Sequence, residues 1–223
     1  MKNSFIDKLG EKDGSIYFHF VYQVLRVNNL WTEFKLLFSS GEKAIEILNN
    51  SAPSLFLTIR ESMMRDIVTS VMRITEEEGT GRNRNLTLET LLSTFKDKVD
   101  IRLIENEKTK IYRNRILLKK HRDKIYSHNS FSFLVENKIE IEPFDKRLIS
   151  ELIESLNVCY KSTYLSLFNS SVILKRASRK DSMALLRKLE RARRYENHYF
   201  SELEQMREFD SDFYVSELKF EKE

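Results

Sequence analysis

The chain has 223 residues and a mass of 26.6 kDa, enough for one domain whose core needs no covalent staples. Two prolines and five glycines are too few for the turns of a sandwich or barrel, so composition points to an all-α class. The 38 basic and 34 acidic side chains leave a net +4, and a single cysteine, Cys159, excludes intrachain disulfides and cysteine-rich zinc sites.

The opening run, Met1 to Lys8, lacks the apolar stretch of a signal peptide, and no stretch is long and apolar enough for a membrane span. The expectation is a cytoplasmic protein without membrane contact. Ile16, Phe20, Val24, Val27, Trp31, Phe34 and Phe38 recur at steps of three and four, which predicts one face of a long helix. A short helix over 42–50 follows. Ser51-Ala52-Pro53-Ser54 reads as a helix start, because proline in the first turn loses no hydrogen bond. Phe56, Ile59, Met63, Ile67, Val71 and Ile74 then stripe a second amphipathic helix.

Residues 76–85, with Gly79 and Gly81, read as a polar loop. A third helix carries Leu88, Leu91, Leu92, Phe95 and Val99 on its apolar side, and a fourth spans about 101–126. Alternation at Phe131, Phe133, Val135, Ile139 and Ile141 predicts a short β-hairpin. After Pro143, Leu148, Leu152, Leu156, Tyr160, Tyr164 and Phe168 mark a fifth long helix, and a last helical stretch covers 182–194. Long helices joined by short loops make a bundle. The expected division is a bundle over 1–175 and a C-terminal extension over 176–223 packed on the same domain.

Charge is segregated along the chain. Residues 108–124 hold eight basic side chains against one acid, and residues 175–194 hold nine against two. Residues 195–223 then hold nine acids against three bases. The pattern suits a polyanion-facing surface with an acidic end that folds back over it. Solvated helix faces that balance one another are the plainer reading.

Among the four histidines, His19, His121, His128 and His198, none stands in a metal-ligand spacing. The sequence also lacks a glycine-rich phosphate cradle and a serine nucleophile elbow. Arg122 and His128, five positions between them, close the basic stretch 108–124. A guanidinium holds a phosphate bidentately, and an imidazole moves a proton near neutral pH. Those two groups meet the minimum for RNA cleavage without a metal. The spacing by itself is not specific, since Arg115 with His121 and Arg191 or Arg193 with His198 also satisfy it. On an unbroken helix the two side chains lie about 240° apart, so they converge only if the helix ends near Ser127 or if two chains share one cleft.

This segment resembles the R-x(4–6)-H motif of the HEPN superfamily. The runs Leu48-Asn49-Asn50-Ser51-Ala52-Pro53-Ser54-Leu55-Phe56, Arg65-Asp66-Ile67-Val68, Arg73-Ile74-Thr75 and Asn85-Leu86-Thr87-Leu88 resemble its abortive-infection branch, a set of phage-defence proteins, in the same order over about 15–130. The resemblance implies an up-and-down helical bundle that dimerises with two Arg/His motifs facing one cleft. It also implies a metal-independent endoribonuclease that needs no cofactor and takes RNA as its partner, with an antitoxin or another defence protein as a further partner.

By the same resemblance, Arg122 holds the scissile phosphate and His128 is the general acid or base. Asp123 takes the polar position after the arginine, where it can instead pair with Arg122. Tyr126 and Asn129 flank and order the histidine, and Arg115, Lys119, Lys120 and Lys124 face RNA. Asp66 and Arg73 line the cleft, or else form a buried ion pair that fixes the register of the bundle. A non-catalytic HEPN module that binds a protein or nucleic acid, and a plain structural bundle, are the competing readings.

Overall fold

A computed structural model describes residues 2–79, 85–123, 145–172 and 181–206, apart from the side chains of Lys120, His121 and 202–206. The helices are α1 (Lys2–Leu9), α2 (Glu11–Phe38), α3 (Glu42–Ser51), α4 (Pro53–Thr75), α5 (Leu88–Thr94), α6 (Glu105–His121), α7 (Lys146–Phe168) and α8 (Asp181–Met206), with a 3₁₀ turn at Ile101–Leu103. Among the described residues there is no strand, and the architecture is an all-α helical bundle, as the resemblance implies. The expected hairpin at 131–141 lies outside the described residues.

The central rod is α2. It packs against α1, α4, α5, α7 and α8, while α6 closes the bundle across α4 and α7. Six of its seven expected stripe residues are buried; Ile16 is half-buried. The same spacing buries Ile67, Val71 and Ile74 of α4 and Leu152, Leu156 and Tyr160 of α7. Pro53 occupies the first turn of α4, as the sequence predicts. At one end of the core, Tyr17 meets Phe5 at 5.0 Å and Phe168 at 5.6 Å between ring centroids, both edge-on.

Three boundaries differ from expectation. Residues 2–9 form α1, an additional helix that the apolar pattern did not reveal because it buries only Phe5. Helix α5 stops at Thr94 although Phe95 and Val99 remain buried. Thr87 and Thr90 cap its start reciprocally, and the hydroxyls of Ser93 and Thr94 donate back to the Thr90 carbonyl at 3.1 and 2.7 Å. Such back-bonding competes with helix continuation. The fourth predicted helix breaks into the 3₁₀ turn and α6, because the Asp100 carboxylate accepts from the Arg102 N–H at 3.1 Å and caps the turn separately.

The last helix extends further than expected. Leu186 and Ser182 are buried where α8 docks on α2 and α3, and the Ser182 N–H donates to Glu33 Oε2 at 3.1 Å. From Arg194 the helix continues into the acidic stretch, with Tyr195 72% exposed. Residues 207–223 lie outside the described residues. Among the described residues, no helix is long and apolar enough to cross a membrane.

Candidate active site

Helix α6 carries the basic stretch to its C-terminal end. Ile111, Asn114 and Leu118 are buried at steps of three and four, which turns Arg113 and Lys119 outward and leaves Arg115 half-buried. Arg122 then caps the helix, its N–H donating to the Leu118 and Lys119 carbonyls. Lys120 belongs to α6. Lys124, Tyr126, His128 and Asn129 lie outside the described residues.

Arg122 is not a free cation. Its Nε donates to Asp123 Oδ1 at 2.7 Å, and its Nη1 donates to Glu76 Oε1 just beyond the end of α4. The three side chains are 22, 35 and 27% exposed in the order Arg122, Asp123, Glu76, so water screens the cluster only in part. Burial opposes the charge on Arg122, and the bonds to Asp123 and Glu76 outweigh it, holding its pKa above the ordinary arginine value. The expected pairing with Asp123 is present, and Glu76 is a partner that the sequence did not reveal.

Glu76 also lines a cleft of about 410 Å³ between α2 and α4, together with Gln23, Arg26, Ser70, Arg73, Ile74, Asn85 and Leu86. Backbone bonds fix its rim. The Asn85 N–H donates to the Glu78 carbonyl at 2.6 Å, pinning together the two ends of the loop, and the Asn85 carbonyl accepts from the Thr90 hydroxyl. Glu78 is braced in turn, with Ser93 Oγ donating to its carboxylate at 3.1 Å. Glu89 accepts from the Tyr112 hydroxyl of α6, a bond that, after burial, drives the tyrosine pKa up.

Arg73 is exposed in this cleft, where the resemblance places it. Asp66 does not pair with it. Its partner is Arg26 of α2 at 2.6 Å, and with side chains 49 and 36% exposed this is a surface pair, not the buried Asp66–Arg73 pair offered as an alternative. The geometric reason is the seven-residue step from Asp66 to Arg73, about two turns along one helix, whereas α2 packs directly alongside. Among the described residues, no group of three His, Cys, Asp or Glu side chains is arranged to hold a metal ion.

The sequence profile of the AbiU2 family of HEPN domains matches residues 17–186. The chain belongs to this abortive-infection family. The matched span runs past the region of motif resemblance to take in all of α7 and the start of α8. No curated protein and no solved structure gives a match. AbiU2 membership therefore covers the cleft, the Arg122 cluster and the helix that packs behind them.

Proposed function

We propose that this AbiU2-family chain is a metal-independent endoribonuclease of the abortive-infection or toxin type, acting as a homodimer whose two Arg/His motifs share one cleft. The observation that carries the reading is the position of Arg122, at the end of the basic helix α6 and one carboxylate away from an open cleft that also exposes Arg73. In the proposed reaction Arg122 holds the scissile phosphate and His128 transfers the proton. The ribose 2′-oxygen forms a bond to phosphorus as the P–O5′ bond breaks. One proton leaves the 2′-hydroxyl and one reaches the 5′-oxygen, giving a 2′,3′-cyclic phosphate and a 5′-hydroxyl. Arg115, Lys119, Lys120 and Lys124 supply the charge that attracts the RNA backbone.

Ile116 and Leu117, 65 and 52% exposed on α6, support the homodimer reading. Large apolar side chains side by side, next to a candidate composite site, suit an isologous contact. Replacing both with glutamate should give monomers by light scattering and lower any cleavage. Dimers that persist would place the interface elsewhere.

One observation favours a second reading. Two carboxylates on Arg122 neutralise it, as expected of a structural anchor in a non-catalytic module that binds a protein or nucleic acid. End-group analysis decides between the two: RNA incubated with the purified chain in EDTA should acquire 2′,3′-cyclic phosphate ends. RNA that stays intact over a range of concentrations and substrates supports the binding module.

A further inference from the structure

The cleft between α2 and α4 holds both committed polar groups and ones that have no strong partner among the described residues. Arg26 is committed to Asp66, and the Ser70 hydroxyl donates to the same carboxylate at 3.2 Å. Arg73 is different. Its Nε makes a long 3.4 Å bond to the Thr69 carbonyl, and among the described residues its guanidinium forms no ion pair. The side-chain amides of Gln23 and Asn85 likewise form no hydrogen bond among the described residues. Half-buried Leu86 gives the cleft an apolar side, backed by the core residue Ile74.

An uncommitted guanidinium suits a phosphate. Two uncommitted carboxamides, each donor and acceptor, suit the edge of a nucleobase. An apolar side suits the face of the base. A volume of about 410 Å³ falls in the size class of small-ligand sites, roughly 300–1,000 Å³. Glu76 joins this cleft to Arg122, so a ligand seated in it lies next to the candidate scissile phosphate.

We propose that the cleft binds one nucleotide of the RNA, next to the cleaved phosphodiester, with Arg73 on its phosphate and Gln23 and Asn85 on its base. The proposal rests on the ribonuclease reading and adds a site for base selection to it. The ligand is a nucleoside phosphate, and the experiment separates an RNA residue from a free nucleotide.

The probe is a fluorescent single-stranded oligoribonucleotide, bound to the 223-residue chain carrying His128→Ala so that it stays uncut. Adding Arg73→Ala should weaken binding about tenfold and lower the salt slope by about 0.7, the value of one lost phosphate contact. Adding Gln23→Ala instead should weaken binding without changing the slope. Millimolar 5′-mononucleotides should displace the oligonucleotide and shift the Gln23 and Asn85 side-chain amide resonances. Unchanged affinity in both variants, or mononucleotide binding that leaves the oligonucleotide in place, would overturn the subsite. Wild-type cleavage is assayed in parallel, so a subsite that fails while cleavage persists is told apart from a failure of the ribonuclease reading itself.

Discussion

Arg122 at the end of α6 and Glu76 just beyond α4 are 46 positions apart in the chain, yet the guanidinium donates directly to the carboxylate. With Asp123 on its Nε, this arginine meets two negative charges before any phosphate arrives. A phosphate that takes the guanidinium must displace at least one of them. In an AbiU2-family ribonuclease, Glu76 would therefore set how readily RNA engages Arg122.

Glu76→Gln should leave the geometry nearly intact and remove one competing charge. In the His128→Ala background we expect oligoribonucleotide affinity to rise three- to tenfold, read by anisotropy at fixed salt. Stability should change by less than about 1 kcal/mol, since partly exposed ion pairs contribute little. Weaker binding would show instead that Glu76 orients Arg122 toward the phosphate.

Gly14 holds α1 against α2. A Cβ there would lie 2.6 Å from Ile6 Cα and 2.7 Å from the Phe5 carbonyl carbon, both backbone atoms that cannot swing aside. In an open helix Gly→Ala stabilises by about 1 kcal/mol. Here the clash should win, with a net cost of about 1–3 kcal/mol and faster amide exchange across α1. A variant with equal or higher Tm would contradict this packing.

Glu107 ties α6 to α7. It accepts from Lys110 at 2.6 Å and from buried Ser155 at 2.6 Å, and these bonds, Lys110 first, hold its pKa below the ordinary glutamate value. A carboxylate with a depressed folded-state pKa contributes stability that is complete above its unfolded value, near 4.3, and is lost as pH falls through the folded value. Glu107→Gln should therefore cost about 1 kcal/mol at pH 7 in urea unfolding, with the gap closing toward pH 3. A gap that stays constant with pH would rule out the ionised carboxylate as its source.

The long helices were legible because burial imposes a step of three and four: Phe20, Val24, Val27, Trp31 and Phe34 announce α2 without any tertiary knowledge. Helix α1 was not, since a single buried residue, Phe5, sets no period. Of the site, Arg122, Asp123 and Arg73 were found through local motifs. Glu76 and Asn85 read as the two ends of a polar loop, Asn85 also opening one of the runs that carry the resemblance, and Gln23 and Arg26 carried no signal. These residues meet only because α4 lies along α2 and the Glu78–Asn85 bond closes the loop, and neither contact has a local signature.

The central claim is that Arg122 and His128 carry RNA cleavage. Its most direct test is the single-turnover cleavage rate of a defined RNA in EDTA, measured for the wild-type chain and for His128→Ala after both are shown to be folded. Loss of a general acid or base predicts a fall of about 10²–10⁴ in rate, with RNA binding retained. An undiminished rate in His128→Ala, or wild-type cleavage only when a divalent metal is added, would contradict the account.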